Sequence, residues 1–412
     1  MPKIITDFHI HSKYSHATSK FMDLEALSVW GQLKGIGLMG TGDFTHPKWQ
    51  KELYEQLKAT EGGLWRFKSD LQKKVEGLVY ESCKAEQHFM LTSEISTIFK
   101  RNGKCYRVHS ILLVPDFQAV FKITKELGKI GNLVHDGRPI LGLDVKDLLK
   151  IVLDASPDCM LIPAHIWTPW FGLLGSKSGF NSLAEAFEEL RPHIYAVEKG
   201  LSSNFMMNAM VSELDGVAIL CNSDAHSAQN LGREANLMDI ELSYSSILTA
   251  LRKNDPCSLL AGIEFFPERG KYFADGHRAC NVCLMPDETA KLQGICPKCG
   301  KVLTIGVLNR VLKLADRTIE QAQKVKRPCY QVVPLFDILE QELGVAQTSK
   351  KLLTMYHKIL KEVGPEFYIL LEAPLEKITQ ASTSGIAQFI GRMRNGKVTV
   401  EPGYDGVYGK IL

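Results

Sequence analysis

Two rhythms of apolar and polar positions alternate along the chain up to about residue 265. The first consists of short β-branched or apolar runs: KIITDFHIH, GIGLMGTGDF, HFMLTSEIS, YRVHSILLV, CMLIPAHI, IYAVEKG, VAILCNSDAH and SLLAGIEFF. The second is helical spacing over residues 22–34, 116–129, 144–154, 181–190, 203–214 and 245–253. Strand–helix alternation at this length predicts an α/β fold with parallel strands, closed into a barrel, with an open doubly wound sheet as the alternative. From about residue 268 the rhythm breaks. ERGKYFADGHRACNVCLMPDETAKLQGICPKCGKVLTIG is short of core aliphatics and rich in turn formers and Lys, the composition of a small insert that needs a metal to fold. Residues 306–364 return to helical periodicity, and the tail GRMRNGKVTVEPGYDGVYGKIL is Gly-rich and β-like. The expected organisation is a barrel over 1–267, a zinc ribbon over 268–305 and a basic C-terminal region over 306–412, helical and then β-like.

A chain of 412 residues with 45% hydrophobic content fits two or three units with a sizeable core. No apolar run is long enough to span a bilayer, and the start MPKIITDFHIH lacks the features of a secretory leader. A cytoplasmic, nucleoid-associated protein with no membrane partner is expected. The net charge of +3 hides an asymmetry. Between Arg269 and Pro328 there are twelve Lys and Arg against five Asp and Glu, a block that reads as a nucleic-acid patch or as a solvated basic face.

Four of the ten cysteines form two Cys-x-x-Cys pairs, Cys280/Cys283 and Cys296/Cys299. That spacing predicts a closed tetrahedral structural zinc site with four thiolate ligands. His277 stands close by but is not needed as a fifth ligand. The other six cysteines are scattered, as buried thiols are and disulfide frameworks are not.

The most informative pattern is where the polar residues fall on the predicted strands. A His, Asp or Glu sits at or near the C-terminal end of nearly every one: His9 and His11, Asp43, Glu94, His109, His165, Glu198, and Asp224 with His226. In a β/α barrel these ends converge on one mouth, where active sites are built. Imidazole and carboxylate without thiolate suit hard to borderline divalent ions, so Zn, Mn or Mg are all candidates. Two or three ions would require about this many ligands.

These residues carry a resemblance. D-F-H-I-H-S-x-x-S-H, G-T-G-D-F-T-H-P, the Glu of TSEIS, the His of VHSILLV, the His of PAHIW and N-S-D-A-H resemble the ordered metal motifs of the polymerase-and-histidinol-phosphatase superfamily. The resemblance implies a distorted seven-stranded β/α barrel with three metal ions. His9, His11, Glu94 and Asp224 would hold one, and Glu94 would bridge to a second held with His109 and His165. His16 and His226 would hold the third with Asp43, favoured over His46. A water between two such cations ionises near neutral pH and can attack phosphorus, and Asp224 is the residue expected to be catalytic.

Over the whole chain the sequence resembles the endonuclease Q family, through the four-cysteine element and the tail segments G-V-L-N-R-V-L-K-L-A-D-R and P-G-Y-D-G-V-Y-G-K. The resemblance implies a DNA-repair endonuclease acting on deaminated bases (hypoxanthine, uracil, xanthine) and abasic sites. It would cut the phosphodiester 5′ to the lesion by metal-activated hydroxide, leaving 3′-hydroxyl and 5′-phosphate. Such an enzyme must take a base out of the stack to read it. Trp167, Trp170 and Phe171 in the loop after His165 are candidates to stack on a base, and Lys13, Arg138 and Lys199 to touch phosphate. A replication-clamp contact is left open. The alternatives are a small-molecule phosphatase of the histidinol-phosphate type, which gives the ribbon and basic block no role, and a non-catalytic DNA-binding adaptor, which gives the ligand set none.

Overall fold

The computed structural model describes residues 3–412. Seven strands follow one another around a barrel: β1 (Lys3–Asp7), β2 (Leu38–Gly40), β3 (His88–Arg101), β4 (Lys104–Val114), β5 (Met160–Pro163), β6 (Ala196–Glu198) and β7 (Ala218–Leu220). β1, β2 and β3 pair in parallel, and so do β6 and β7. The expectation of an all-parallel barrel is corrected at β4, which runs antiparallel to both β3 and β5. β3 and β4 form one long hairpin turning at Asn102-Gly103, both with positive φ. Two joints lack a regular ladder and are closed by hydrogen bonds at the mouth. Ile166 N donates to Glu198 O at 2.9 Å, joining β5 to β6, and His11 N donates to Ala225 O at 3.0 Å, joining β7 to β1. These irregular joints are what distorts the barrel. Phe8, Leu38, Met90, Ile111, Ile162, Ala196 and Ala218, one from each strand or its continuation, share a single buried cluster.

Four helices lie where the spacing predicts them, while the expected helices at 181–190 and 203–214 shorten to Leu183–Phe187 and Phe205–Ala209, and Pro47–Gln56 and Ser69–Glu76 are helices that the spacing did not predict. Helix α1 (Leu24–Lys34) is capped by the Asp23 side chain, which accepts from Ala26 N, and ends at Gly35 with φ 85°. Asp116 caps α2 (Phe117–Leu127), Asp144 caps α3 (Val145–Ala155) and Ser243 caps α4 (Tyr244–Lys253) in the same way. Gly35–Gly40 has the G-x-G-x-x-G spacing of a dinucleotide-binding turn, but it runs from helix to strand, the reverse of the order that function needs.

Beyond the barrel the sheet continues through β8 (Ala235–Asp239), antiparallel to β1, and β9 (Leu259–Phe265), antiparallel to β8. A hairpin of β10 (Asp275–His277) and β11 (Val282–Leu284) follows. The C-terminal region then adds β12 (Cys329–Val332) in parallel to β9. Five helices come next: α5 (Leu335–Leu343), α6 (Lys350–Val363), α7 (Glu366–Leu371), α8 (Leu375–Ala381) and α9 (Ser384–Arg394). They pack on α1, where Trp30 meets Tyr356 with ring centroids 6.1 Å apart. Finally the tail returns to the segment before β10. Gly403 N, Gly406 N and Gly409 N donate to Glu268 O, Lys271 O and Arg269 O at 2.7, 2.8 and 3.1 Å. Among the described residues no helix is long and apolar enough to cross a membrane.

Candidate metal centre and active-site pocket

Two donor groups meet at the barrel mouth. In the first, donor atoms of His9, His11, Glu94 and Asp224 all lie within 4.8 Å of one another; in the second, those of Glu94, His109 and His165 do. Glu94 belongs to both. Its Oε1 is 2.9 Å from His109 Nδ1 and 3.1 Å from His165 Nε2, and its Oε2 is 3.3 Å from His11 Nε2. The β3/β4 hairpin explains how this happens. Glu94 sits midway along a strand that runs on past the mouth, and His109 enters from the antiparallel return strand, so neither lies at a strand end as the sequence pattern suggested.

The donor set fits a divalent cation on an observation of its own. His9 Nε2 is buried with no hydrogen-bond partner, and it faces Glu94 Oε1 at 3.5 Å and Asp224 Oδ1 at 3.6 Å. A buried, unpartnered imidazole nitrogen aimed at two carboxylates is costly unless a positive charge sits between them. The electrostatics agree. Burial pushes His9 down, but Glu198, Glu94 and Asp224 outweigh it and hold the ring well above its ordinary value. Burial likewise pushes Glu94 up, yet His109, His9 and Arg138 hold it well below the usual carboxylate range. Asp224 is also held well below that range, by His9 and His11 against burial. The cluster therefore calls for cationic charge.

Several side chains position these donors. Glu198 turns both oxygens on His9 Nδ1 at 3.0 Å, and also accepts from His165 N at 2.8 Å and Asn222 Nδ2 at 2.9 Å. Arg233 clamps the Asp224 loop through Ser223 O at 2.7 Å and Asp224 O at 3.2 Å. Asp43, His165 and Asp224 all have positive φ, at 49°, 28° and 47°. Non-glycine residues rarely adopt this region, and such strain collects where a site over-determines the backbone.

The third group implied by the resemblance does not assemble. Among the described residues His16, His226 and Asp43 form no common donor group. Asp43 is occupied as an acceptor: its Oδ2 takes bonds from Ser12 N, Ser12 Oγ and Ser15 Oγ at 2.6, 2.7 and 2.9 Å, and its Oδ1 faces His11 Nδ1 at 3.2 Å. It is placed to orient His11, one of the candidate donors. His46 is no substitute, since its Nε2 faces Val134 O at 3.1 Å and its ring stacks on Tyr14. His16 lies against His135 with ring centroids 5.2 Å apart, and His226 against His11 at 4.4 Å.

A pocket of about 590 Å³ opens beside the donor groups. His109, His165 and Asp224 form its floor, Trp170, Phe171, Tyr272 and Tyr408 give it aromatic walls, and Arg138, Arg233 and Lys271 line it with positive charge. Arg138 also reaches Glu94 Oε2 at 3.2 Å. Two expected DNA contacts are corrected. Lys199 is fully buried and paired with Glu234 at 2.6 Å, so no phosphate can reach it. Trp167 is 1% exposed and donates to Asn208 Oδ1 at 2.9 Å, which makes it core. Lys13 lies outside the pocket wall and is already paired with Glu52 at 2.9 Å. Trp170 does reach the pocket, packed against Tyr272 at 6.1 Å. Lys271 and Tyr272 reach the mouth through the contact of Tyr272 N with Ser202 Oγ at 3.4 Å and Tyr408 through the returning tail, which the sequence pattern does not reveal. Part of the basic block is spent internally: Arg310 is buried on Leu174 O and Phe180 O, Arg269 pairs with Asp337, and Arg317 with Asp215.

In the ribbon the donor group is His277, Cys280, Cys296 and Cys299, within 4.8 Å of one another. Cys283, expected as a ligand, lies outside it. None of the ten cysteines is in a disulfide.

These features define a class: a seven-stranded β/α barrel with histidine–carboxylate donor groups at its mouth, a thiol-rich hairpin and a helical C-terminal region. Over its whole length the chain has the fold of endonuclease Q. The lesion-specific endonuclease from Pyrococcus furiosus superposes with a TM-score of 0.85 at 29% identity, covering 100% of this chain and 95% of that one. An endonuclease Q in complex with a 27-mer duplex carrying an abasic lesion at the active site gives 0.84 at 29% identity, covering 100% and 96%. Residues 334–397 match the family model of the MJ0043 C-terminal domain. The uncharacterized protein MJ0043 of Methanocaldococcus jannaschii is 30% identical over 292 residues, which is 69% of this chain but 35% of that protein. The uncharacterized protein YqxK of Bacillus subtilis is 29% identical over the full length of both.

Proposed function

We propose that this chain is a DNA-repair endonuclease that hydrolyses the phosphodiester 5′ to a deaminated base or an abasic site, leaving 3′-hydroxyl and 5′-phosphate. The observation that carries the reading is the pocket in which the carboxylate–histidine donors adjoin an aromatic and cationic wall. Its support is full-length likeness to endonuclease Q, one example of which holds duplex DNA with an abasic lesion at its active site.

His9, His11, Glu94, Asp224, His109 and His165 would hold two divalent ions, with Glu94 shared, and His16 and His226 are left as candidates for a third. When bound, such ions lower the pKa of water and neutralise charge at a phosphate. The residues of the chain do the rest. Asp224, ionised throughout the physiological range, fixes the donor geometry next to the reacting phosphate. Arg138, Arg233 and Lys271 bind phosphate oxygens and offset the charge that builds up during displacement. Trp170, Phe171 and Tyr272 offer faces for a base taken out of the stack. Deamination of adenine or cytosine replaces the 6- or 4-amine by a carbonyl, so one hydrogen-bond donor facing that position welcomes hypoxanthine and uracil and repels their parents, whereas xanthine differs from guanine at C2 and needs a donor there. A base that pairs poorly leaves the helix most cheaply.

The test is a nicking assay on labelled duplexes bearing hypoxanthine, uracil, an abasic site or no lesion, with and without added divalent metal. A metal-dependent nick directly 5′ of the lesion and none in the control is the expected result. Turnover of a small phosphate monoester with no nick on any duplex would overturn the reading.

A further inference from the structure

The two Cys-x-x-Cys pairs of the ribbon are not equivalent, and the strand register shows why. In the β10/β11 hairpin His277 pairs with Val282, and Gly276 pairs with Cys283. Side chains alternate between the faces of a strand, and paired residues share a face. His277 and Val282 therefore lie on one face and Cys283 on the other. The first face holds the thiol cluster: Val282 packs with Cys296, Leu303 and Cys280, and His277 Nδ1 lies 3.4 Å from Cys299 Sγ. The second face belongs to the returning tail. Cys283 Sγ lies 3.8 Å from Pro402 O. A Cβ at Gly276 would come within 2.5 Å of the Tyr404 ring, so the tail packs directly on this face.

We propose that the ribbon ion is held by three thiolates and one imidazole, from Cys280, Cys296, Cys299 and His277, and that Cys283 is a neutral thiol that seats the C-terminal tail. The ligand chemistry is that of a closed tetrahedral zinc site. Turning Cys283 toward the ion would require a one-residue slip of β11, which would move Val282 out of the buried cluster and break the Gly276 pairing. The tail seated by Cys283 is the same one that hydrogen-bonds to residues 268–271 and brings Tyr408 beside Lys271 at the pocket. The inference concerns the ribbon alone and stands whether or not the chain is a nuclease.

The test uses the full-length protein loaded with Co2+. Thiolate-to-cobalt charge transfer in the near ultraviolet reports only the ribbon, because the barrel donor groups contain no cysteine. Cys283→Ser should bind the same number of metal equivalents as the parent, with unchanged charge-transfer intensity. His277→Cys should gain about a third in intensity, as three thiolates become four around the tetrahedral ion. A loss of about a quarter in Cys283→Ser, the result for a four-thiolate site, would overturn the proposal. So would an unchanged intensity in His277→Cys, which also decides the matter if Cys283→Ser fails to fold.

Discussion

Glu198 shows how much of this site rests on a side chain that is not itself placed as a ligand. Its two oxygens accept from three donors: the His9 ring, the His165 backbone and the Asn222 amide. Glu198→Gln keeps the shape but turns an NH2 toward one of those donors. Metal affinity in the barrel should fall by about 10- to 100-fold, as is usual for outer partners of ligating histidines, measured by competition with a chelating dye. Asp224→Ala should abolish cleavage while leaving the affinity for lesion DNA largely intact; cleavage retained in that variant would remove Asp224 from the mechanism. A second buried cluster governs pH. Lys199 faces two carboxylates, Glu234 at 2.6 Å and Glu264 at 3.8 Å, so one of the two has no full counter-charge. Burial pushes Glu234 up to about 7, although Lys199 pulls it down. Because this folded-state value lies above the ordinary 4.5, its contribution to stability is complete below about 4.5 and is lost as pH rises through about 7. Glu264→Gln removes the neighbouring negative charge. Urea denaturation at pH 5, 6, 7 and 8 should show a flatter profile in this variant, by at most about 1.4 kcal/mol per pH unit.

At the scale of elements, the joint between β5 and β6 is where the barrel is least regular and most demanding. Gly200, just after β6, has φ 71°, and a Cβ there would lie 2.7 Å from the Cβ of His165. The glycine lets two strand ends approach closely enough for Ile166 to bond to Glu198. Gly200→Ala is strained both in backbone and in space. It should cost about 1 kcal/mol or more in stability, read from the urea midpoint, and it should weaken binding of the ion shared by Glu94, His109 and His165 more than binding at His9 and His11. Equal weakening of both would mean that β6 does not position His165 separately. The β3/β4 hairpin acts differently. By running past the mouth and back, it places a carboxylate and an imidazole in mid-strand, where eleven cross-strand pairs hold them in register.

Across the whole molecule, the C-terminal helices are fastened to the barrel by a buried ion pair. Lys34 at the end of α1 reaches Glu366 at 2.7 Å, with both side chains under 5% exposed. Tyr356 OH donates to the same carboxylate at 2.9 Å. Removing one partner of such a pair leaves an uncompensated buried charge. Lys34→Met should therefore destabilise the fold by about 3–5 kcal/mol, and limited proteolysis should find the chain after residue 334 more exposed. A loss within experimental error would show that Tyr356 and the Leu335 backbone satisfy Glu366 without the lysine. The tail forms a second fastening. Its hydrogen bonds to residues 268–271 bring Tyr408 to the pocket wall that Lys271 and Tyr272 line.

The sequence by itself determined the elements and the chemistry on offer. Strand and helix rhythms placed all seven barrel strands, because burial on a pleated or helical surface imposes its period locally. The recurrence of His, Asp and Glu near strand ends marked His9, His11, Glu94, His109, His165 and Asp224 as donors, because imidazole and carboxylate in apolar strands have few other uses. Partnership was decided only in three dimensions. That β4 runs backwards is recorded not in the apolar spacing but in the Asn102-Gly103 turn between the two runs, a hairpin signal. That Asp43 serves His11, and that Lys199 and Trp167 are interior, depends on which neighbours fill their hydrogen-bonding capacity. The spacing of the cysteines announced a metal site, but a Cys-x-x-Cys pair does not reveal which face of a strand its second member occupies. The register of β10 against β11 decides that, and it turns His277 toward the cluster and Cys283 toward the tail.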